Sequence, residues 1–81
     1  MMFEEIKKLF IECANVDADE VTMDANLKKD LGIDSLYAVE LTLQLEEIYG
    51  IEIDADEMAN LVTVRDIVEL IEKKVNKKWY N

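Results

Sequence analysis

The sequence predicts an all-α fold, a small up-down helical bundle with three main helices and one short helix. The chain has no proline, and its only glycines, Gly32 and Gly50, lie between apolar segments and not within them. Apolar residues recur three and four positions apart over long stretches, which is the spacing of one helix face. Because the chain has 81 residues, we expect a single domain that spans residues 1–81.

The first helix is predicted over 3–14. Its apolar face consists of Phe3, Ile6, Leu9, Phe10 and Cys13. A long connection then covers residues 15–33, and long loops inside small domains often have a function. Regularly placed apolar residues predict that this connection is pinned to the core. These residues are Val16, Val21, Leu27, Leu31 and Ile33.

The second helix is predicted to begin at Asp34, an N-cap residue, and to end at Gly50, which suits the left-handed position after a helix. A short third helix is predicted over 54–61. Thr63 and Asp66 resemble a capping box for the last helix. The apolar face of that helix consists of Val64, Ile67, Val68, Ile71 and Val75. We expect Trp79 and Tyr80 to fray at the terminus, and we assign them no function.

The charge distribution restricts the class of partner. The net charge is −10, and no lysine or arginine occurs from Asp30 to Val64. Such a field repels nucleic acid and anionic lipid and attracts basic protein surfaces. The apolar runs are too short to insert into a membrane, and Cys13 is the only cysteine. We therefore expect a cytoplasmic protein with protein partners.

The second helix has two apolar faces when its residues are placed 100° apart. The face assigned to the core contains Ala38, Leu41, Leu45, Ile48 and Tyr49. The opposite face contains Leu36, Val39 and Leu43 together with Glu40 and Glu47, and Glu46 lies at its edge. This outer face is either covered by the long connection or exposed. If it is exposed, it is either a docking surface for a basic partner or a set of isolated surface residues.

Ser35 is the only serine, and it follows the cap residue Asp34. A hydroxyl at a helix N-terminus lies where backbone N–H groups favour a phosphate, although serine is also common there for structural reasons. The chain contains no histidine, so a Ser-His pair is impossible. The sequence also lacks a zinc ligand set, a calcium loop and a glycine-rich phosphate loop. We therefore expect neither an enzyme nor a metal site.

The segment Asp30-Leu31-Gly32-Ile33-Asp34-Ser35-Leu36 resembles the central motif of acyl carrier proteins, as do Val39-Glu40-Leu41 and Leu45-Glu46-Glu47. The resemblance implies that Ser35 carries 4′-phosphopantetheine. A separate magnesium-dependent phosphopantetheinyl transferase would supply it from coenzyme A, by attack of the serine oxygen on the β-phosphorus and release of adenosine 3′,5′-bisphosphate. It also implies that Asp34 belongs to the attachment motif. The docking residues that follow are Leu36, Val39, Glu40, Leu43 and Glu47, with Glu46 added at the edge.

The resemblance implies acyl cargo held as thioesters, delivered to acyl-transferring and fatty acid or polyketide synthase enzymes with basic docking surfaces. We expect a monomer that acts in fatty acid biosynthesis. A dedicated carrier for polyketide, amino-acyl or other specialised cargo is the main alternative, because Ile33, Tyr37 and Asp54 depart from the common pattern of fatty-acid carriers. An unmodified acidic interaction module is a further alternative.

An acyl pocket is expected on the core side of the second helix. Ala38 is small and lies one turn from Ser35, so a saturated chain has room to enter there. The predicted walls are Ala38, Leu41 and Leu45 of the second helix and Ile67 and Ile71 of the last helix.

Overall fold

The computed structural model describes residues 2–80, and for 77–80 it describes the backbone only. The helices of this range are α1 (Met2–Ala14), α2 (Ser35–Tyr49), α3 (Ala55–Ala59) and α4 (Val64–Tyr80), with one 3-10 turn at Ala18–Glu20. The all-α fold with three main helices and one short helix is confirmed. The side chains of Trp79 and Tyr80 lie outside the described residues. Across residues 2–80, every helix is too short or too polar to cross a bilayer.

The core lies where α1 packs against α2 and α4. Its most completely buried large side chains are Ile6, Phe10, Val21, Leu45, Val64, Ile67 and Ile71. Each such side chain stabilises the fold by roughly 1.5–3 kcal/mol through removal of apolar surface from water. Apart from Val21, which lies in the connection, these residues fall on the helix faces that the spacing predicts, so the spacing and the packing agree.

One residue of the predicted core lies elsewhere, and others, Tyr49 and Cys13 among them, are only partly buried against it. Ile48 was expected in the core, but its side chain is 57% exposed. Tyr49 turns toward α1 in its place and donates a hydrogen bond to Glu5 Oε1 at 2.9 Å. Because successive helical residues are about 100° apart, the last turn of α2 cannot direct both side chains at α1. Cys13 is half-buried and not fully buried, since it lies in the last turn of α1.

The connection between α1 and α2 is pinned to the core as predicted. Val21, Leu27, Leu31 and Ile33 are all buried. Its backbone also pairs with the segment between α3 and α4: Leu27 N donates to Val62 O at 2.9 Å, and Val64 N donates to Ala25 O at 3.1 Å. These contacts bring the connection against the start of α4.

The helix ends follow the predicted capping chemistry. Gly50 ends α2 in the left-handed conformation with φ 63°. Asp54 and Glu57 form a reciprocal capping box at α3, and Thr63 and Asp66 form another at α4. The third helix is shorter than the predicted 54–61, since Asp54 is its cap and it ends at Ala59.

Lys74 joins α4 to α3 and to the segment before it. Its Nζ lies 2.7 Å from Glu57 Oε1 and donates to the Glu52 carbonyl oxygen at 2.6 Å. Glu57 Oε1 also accepts from Asp54 N at 3.1 Å. The hydrogen bond from Lys74, followed by the one from the Asp54 amide, lowers the pKa of Glu57 from its usual 4.5.

We predict that Glu57→Gln lowers the melting temperature by a few degrees at pH 7. Glutamine keeps an acceptor for the cap but loses the charge that faces Lys74. A lowered pKa means that the carboxylate contributes stability above pH 4.5, and that this contribution is lost as the pH falls through the folded-state pKa. The deficit of the variant should therefore close in acid, as thermal unfolding across pH 2–7 would measure.

Glu72→Gln is the matched control, because Glu72 is exposed on the same helix as Lys74. It should change the melting temperature little at any pH. A Glu57→Gln deficit that stays constant down to pH 2 would contradict the role of this charge.

Candidate functional site

Ser35 is the first residue of α2, and Asp34 is the cap in front of it. Asp34 Oδ1 accepts hydrogen bonds from Leu36 N and Tyr37 N, both at 3.1 Å. This cap fixes where α2 begins and therefore where the Ser35 hydroxyl emerges. Ser35 is exposed, and within the described residues its hydroxyl forms no hydrogen bond. The hydroxyl is free to react.

The turn in front of the site depends on Gly32. Its φ is +65°, in the left-handed region that disfavours residues with a Cβ. Leu31 and Ile33 on either side are buried, and Ile33 N donates to Leu27 O at 2.8 Å. Two anchored apolar residues around a sharp turn leave Asp34 and Ser35 projecting from the surface.

A cavity of about 510 Å³ opens beside Ser35. Its volume lies within the usual range for small-molecule sites. Four of the five predicted pocket residues line it, namely Ala38, Leu41, Leu45 and Ile67. The fifth, Ile71, is fully buried in the core and does not line the cavity.

The sequence did not predict most of the other residues that line this cavity. The apolar residues that complete it come from the connection, from α3 and from the loop after α3: Leu27, Ile33, Met58, Ala59, Leu61 and Val62. No helical spacing relates them to α2, so only tertiary packing brings them together. Thr42, a buried polar residue of the wall, donates its hydroxyl to Ala38 O at 2.7 Å and so satisfies its donor within the helix.

The outer face of α2 is exposed to solvent and is not covered by the connection. Leu36 is 75% exposed, Leu43 59% and Val39 46%. Glu40 and Glu47 are exposed beside them and form no hydrogen bond or ion pair with the described residues. The structure therefore brings five of the six predicted docking residues onto one open apolar and acidic surface.

Glu46, the sixth, is half-buried. Its Oε2 accepts a hydrogen bond from Ile53 N at 2.8 Å, which holds the chain after Gly50 against α2. The sequence placed Glu46 at the edge of the outer face but carried no sign of a partner seven residues away. The carboxylate has a structural contact that its neighbour Glu47 lacks.

Cys13 carries the only thiol of the sequence, a second candidate nucleophile besides the Ser35 hydroxyl. Burial raises the pKa of its thiol, and the negative charges of Glu40 and Glu12 raise it further. The thiol therefore remains protonated at neutral pH, which is the less reactive form. Ser35 is the more exposed of these two side chains.

A family model described as "Phosphopantetheine attachment site" matches residues 4–71. An acyl carrier protein of Helicobacter acinonychis is 48% identical over 71 residues, which cover 88% of this chain and 91% of that protein. This chain belongs to the acyl carrier protein family. An acyl carrier protein of Petrotoga mobilis is 39% identical over 75 residues, which cover 93% of this carrier and 88% of the relative.

The crystal structure of an acyl carrier protein from Thermotoga maritima has the same fold. The TM-score is 0.79 at 23% identity, and the match covers 95% of this carrier and 94% of that chain. The cofactor of the family is 4′-phosphopantetheine. The carrier's residues fit it, because an exposed serine with a free hydroxyl adjoins a largely apolar cavity.

We predict that removing the carboxylate destabilises the protein at Glu46 but not at the adjacent Glu47. Glu46→Ala removes the acceptor of the Ile53 amide and should lower the free energy of unfolding by about 1–2 kcal/mol. Glu47→Ala removes an exposed carboxylate and should change it by less than about 0.5 kcal/mol. Urea unfolding followed by circular dichroism measures both.

Glu46→Gln tests the assignment further, since the amide oxygen can still accept from Ile53 N. It should restore most of the stability lost in Glu46→Ala. Equal losses in Glu46→Ala and Glu47→Ala would show that the hydrogen bond contributes nothing particular.

Proposed function

We propose that this carrier holds acyl intermediates as thioesters on a 4′-phosphopantetheine arm attached to Ser35, in fatty acid biosynthesis. The observation that carries the proposal is the position of Ser35. The only serine of the chain is exposed, has a free hydroxyl and lies at the mouth of a largely apolar cavity. When bound, the arm supplies a terminal thiol that forms the thioester.

The chain's own residues prepare the attachment point. Asp34 caps the first turn of α2, and Ser35 is the first residue of that turn. The sequence contains no histidine, the most common general base. The proposal therefore assigns activation of the hydroxyl to a separate transferase.

The outer face of α2 is proposed to dock partner enzymes. Leu36, Val39 and Leu43 supply apolar contact area, and Glu40 and Glu47 supply charge. A phosphopantetheinyl transferase and acyl-transferring or synthase enzymes with basic surfaces suit this pattern. The reducing cytoplasm is the compartment we propose, because free thiols persist there.

The cavity supports an alkyl cargo. Ala38, Leu41 and Leu45 present apolar surface one, two and three turns from Ser35 along α2. Burial of a methylene contributes roughly 0.8 kcal/mol, from which the cost of opening the bundle and ordering the chain must be subtracted. The net free energy gained by burying a medium-length saturated chain would then be about 1–3 kcal/mol.

We predict that Ser35→Ala abolishes loading by a phosphopantetheinyl transferase, because it removes the only free serine hydroxyl. The helical circular dichroism spectrum should be unchanged, since Ser35 is exposed and Asp34 caps α2. Intact mass after incubation with coenzyme A and transferase measures the loading. Loading of Ser35→Ala at the wild-type level would place the arm elsewhere and refute the proposal.

Charge reversal on the outer face should weaken docking. We predict that Glu40→Lys or Glu47→Lys lowers affinity for transferase or synthase on the order of tenfold, and that wild-type binding weakens as salt rises. Glu4→Lys and Glu69→Lys carry the same change in net charge at exposed sites away from α2. Equal weakening by all four variants would mean that only net charge matters.

Acyl chain length should set the stability of the loaded carrier. We predict that the melting temperature rises with chain length up to about six carbons and then levels off as the cavity fills. Ala38→Leu should flatten this rise by filling the entrance. Ala55→Leu is the matched control at an exposed alanine outside the cavity. Identical melting temperatures for the thiol form and all acyl forms would show that the acyl chain does not bind in the cavity.

A further inference from the structure

The negative charge of Asp34 beside Ser35 would repel the phosphodiester of an attached arm. The inference drawn from this repulsion rests on the proposed function. A phosphodiester at this position carries a full negative charge. It would lie next to the exposed carboxylate of Asp34, in a chain whose net charge is already −10. At short range, like charges repel one another by on the order of 1 kcal/mol even in water. A cationic group of the chain close to Ser35 would offset this repulsion.

The N-terminus of α2 has few free backbone amides with which to offset this repulsion. Free backbone N–H groups at a helix start would favour a phosphate, and the sequence suggested this role. In the structure Asp34 Oδ1 already accepts from Leu36 N and Tyr37 N, and Ala38 N donates to Asp34 O at 2.8 Å. Asp34 therefore already occupies these three amides, two through its carboxylate and one through its carbonyl oxygen.

Cationic side chains come from the connection. Lys28 and Lys29 line the same cavity as Ser35. They are the last basic residues before a stretch without any, which runs from Asp30 to Val64. Both are exposed, and neither forms an ion pair with the described part of the chain.

The backbone that carries these lysines is held firmly. Asn26 Oδ1 accepts from Lys28 N at 3.0 Å and from Lys29 N at 2.8 Å. Asn26 N in turn donates to Asp30 Oδ2 at 2.7 Å. Two cations of α4 already have partners, since Arg65 pairs with Asp24 and Lys74 with Glu57. The lysine pair that lines the cavity combines a fixed backbone with charge that is unpaired among the described residues.

We propose that Lys28 and Lys29 are positioning residues for the arm, and that they pair electrostatically with the phosphodiester on Ser35. Lysine suits this role as a mobile point charge that accommodates a tetrahedral anion. The pair cancels the repulsion from Asp34 and holds the first bonds of the arm at the cavity mouth. The lysines act by position and charge and not in the transfer of the arm.

The test compares the arm-free and arm-loaded forms of the wild type with those of the double variant Lys28→Gln/Lys29→Gln. At an ionic strength of about 10 mM, we expect the change in melting temperature on loading to be about 2–5 °C less favourable in the variant. Near 1 M salt the difference should vanish, because screening then acts over a few ångströms. The NMR signals of the Lys28 and Lys29 ammonium groups should shift on loading in the wild type.

Lys7→Gln/Lys8→Gln is the control, because it removes an adjacent lysine pair of α1 that does not line the cavity. It should shift the loaded and unloaded forms equally. The same loading effect in all three proteins at about 10 mM would overturn the proposal. Peptide mass must first place the arm on Ser35. An arm found elsewhere refutes the proposed function, whereas an arm on Ser35 without any lysine effect refutes only this inference.

Discussion

The burial of Leu31 and Ile33 on either side of Gly32 is the constraint on which the site depends. Both side chains are in the core, and the left-handed glycine between them reverses the chain sharply. This arrangement places Asp34 at the start of α2, where its carboxylate caps the helix. Without the turn, Ser35 would have neither its exposure nor its position beside the cavity.

Electrostatics and packing have separate roles in this molecule. The core is built almost entirely from apolar side chains, whereas the surface of α2 and α3 is acidic. Few ion pairs compensate this charge in the described residues, and the most connected one, between Lys74 and Glu57, joins α4 to α3. The carrier thus keeps uncompensated carboxylates on the face that is proposed to meet basic partners, and it depends on hydrophobic burial for stability.

The cavity and the outer face lie on opposite sides of the same helix. Leu41 and Leu45 face inward, and Leu36 and Leu43 face outward, so α2 can contact a cargo and a partner at once. Ser35 lies at the end where both surfaces meet. This geometry would let a partner reach Ser35 without disturbing the wall that is proposed to shelter the acyl chain.

The sequence by itself determined the helices, their caps and the two faces of α2, because helical period and capping chemistry are local properties. It also singled out Ser35, through its position in a family motif. Tertiary structure alone decided that Ile48 is exposed, that Glu46 binds the Ile53 amide, and that Lys28 and Lys29 line the same cavity as Ser35. These facts depend on which segments pack together, and contacts between segments distant in the chain leave no periodic trace in the sequence.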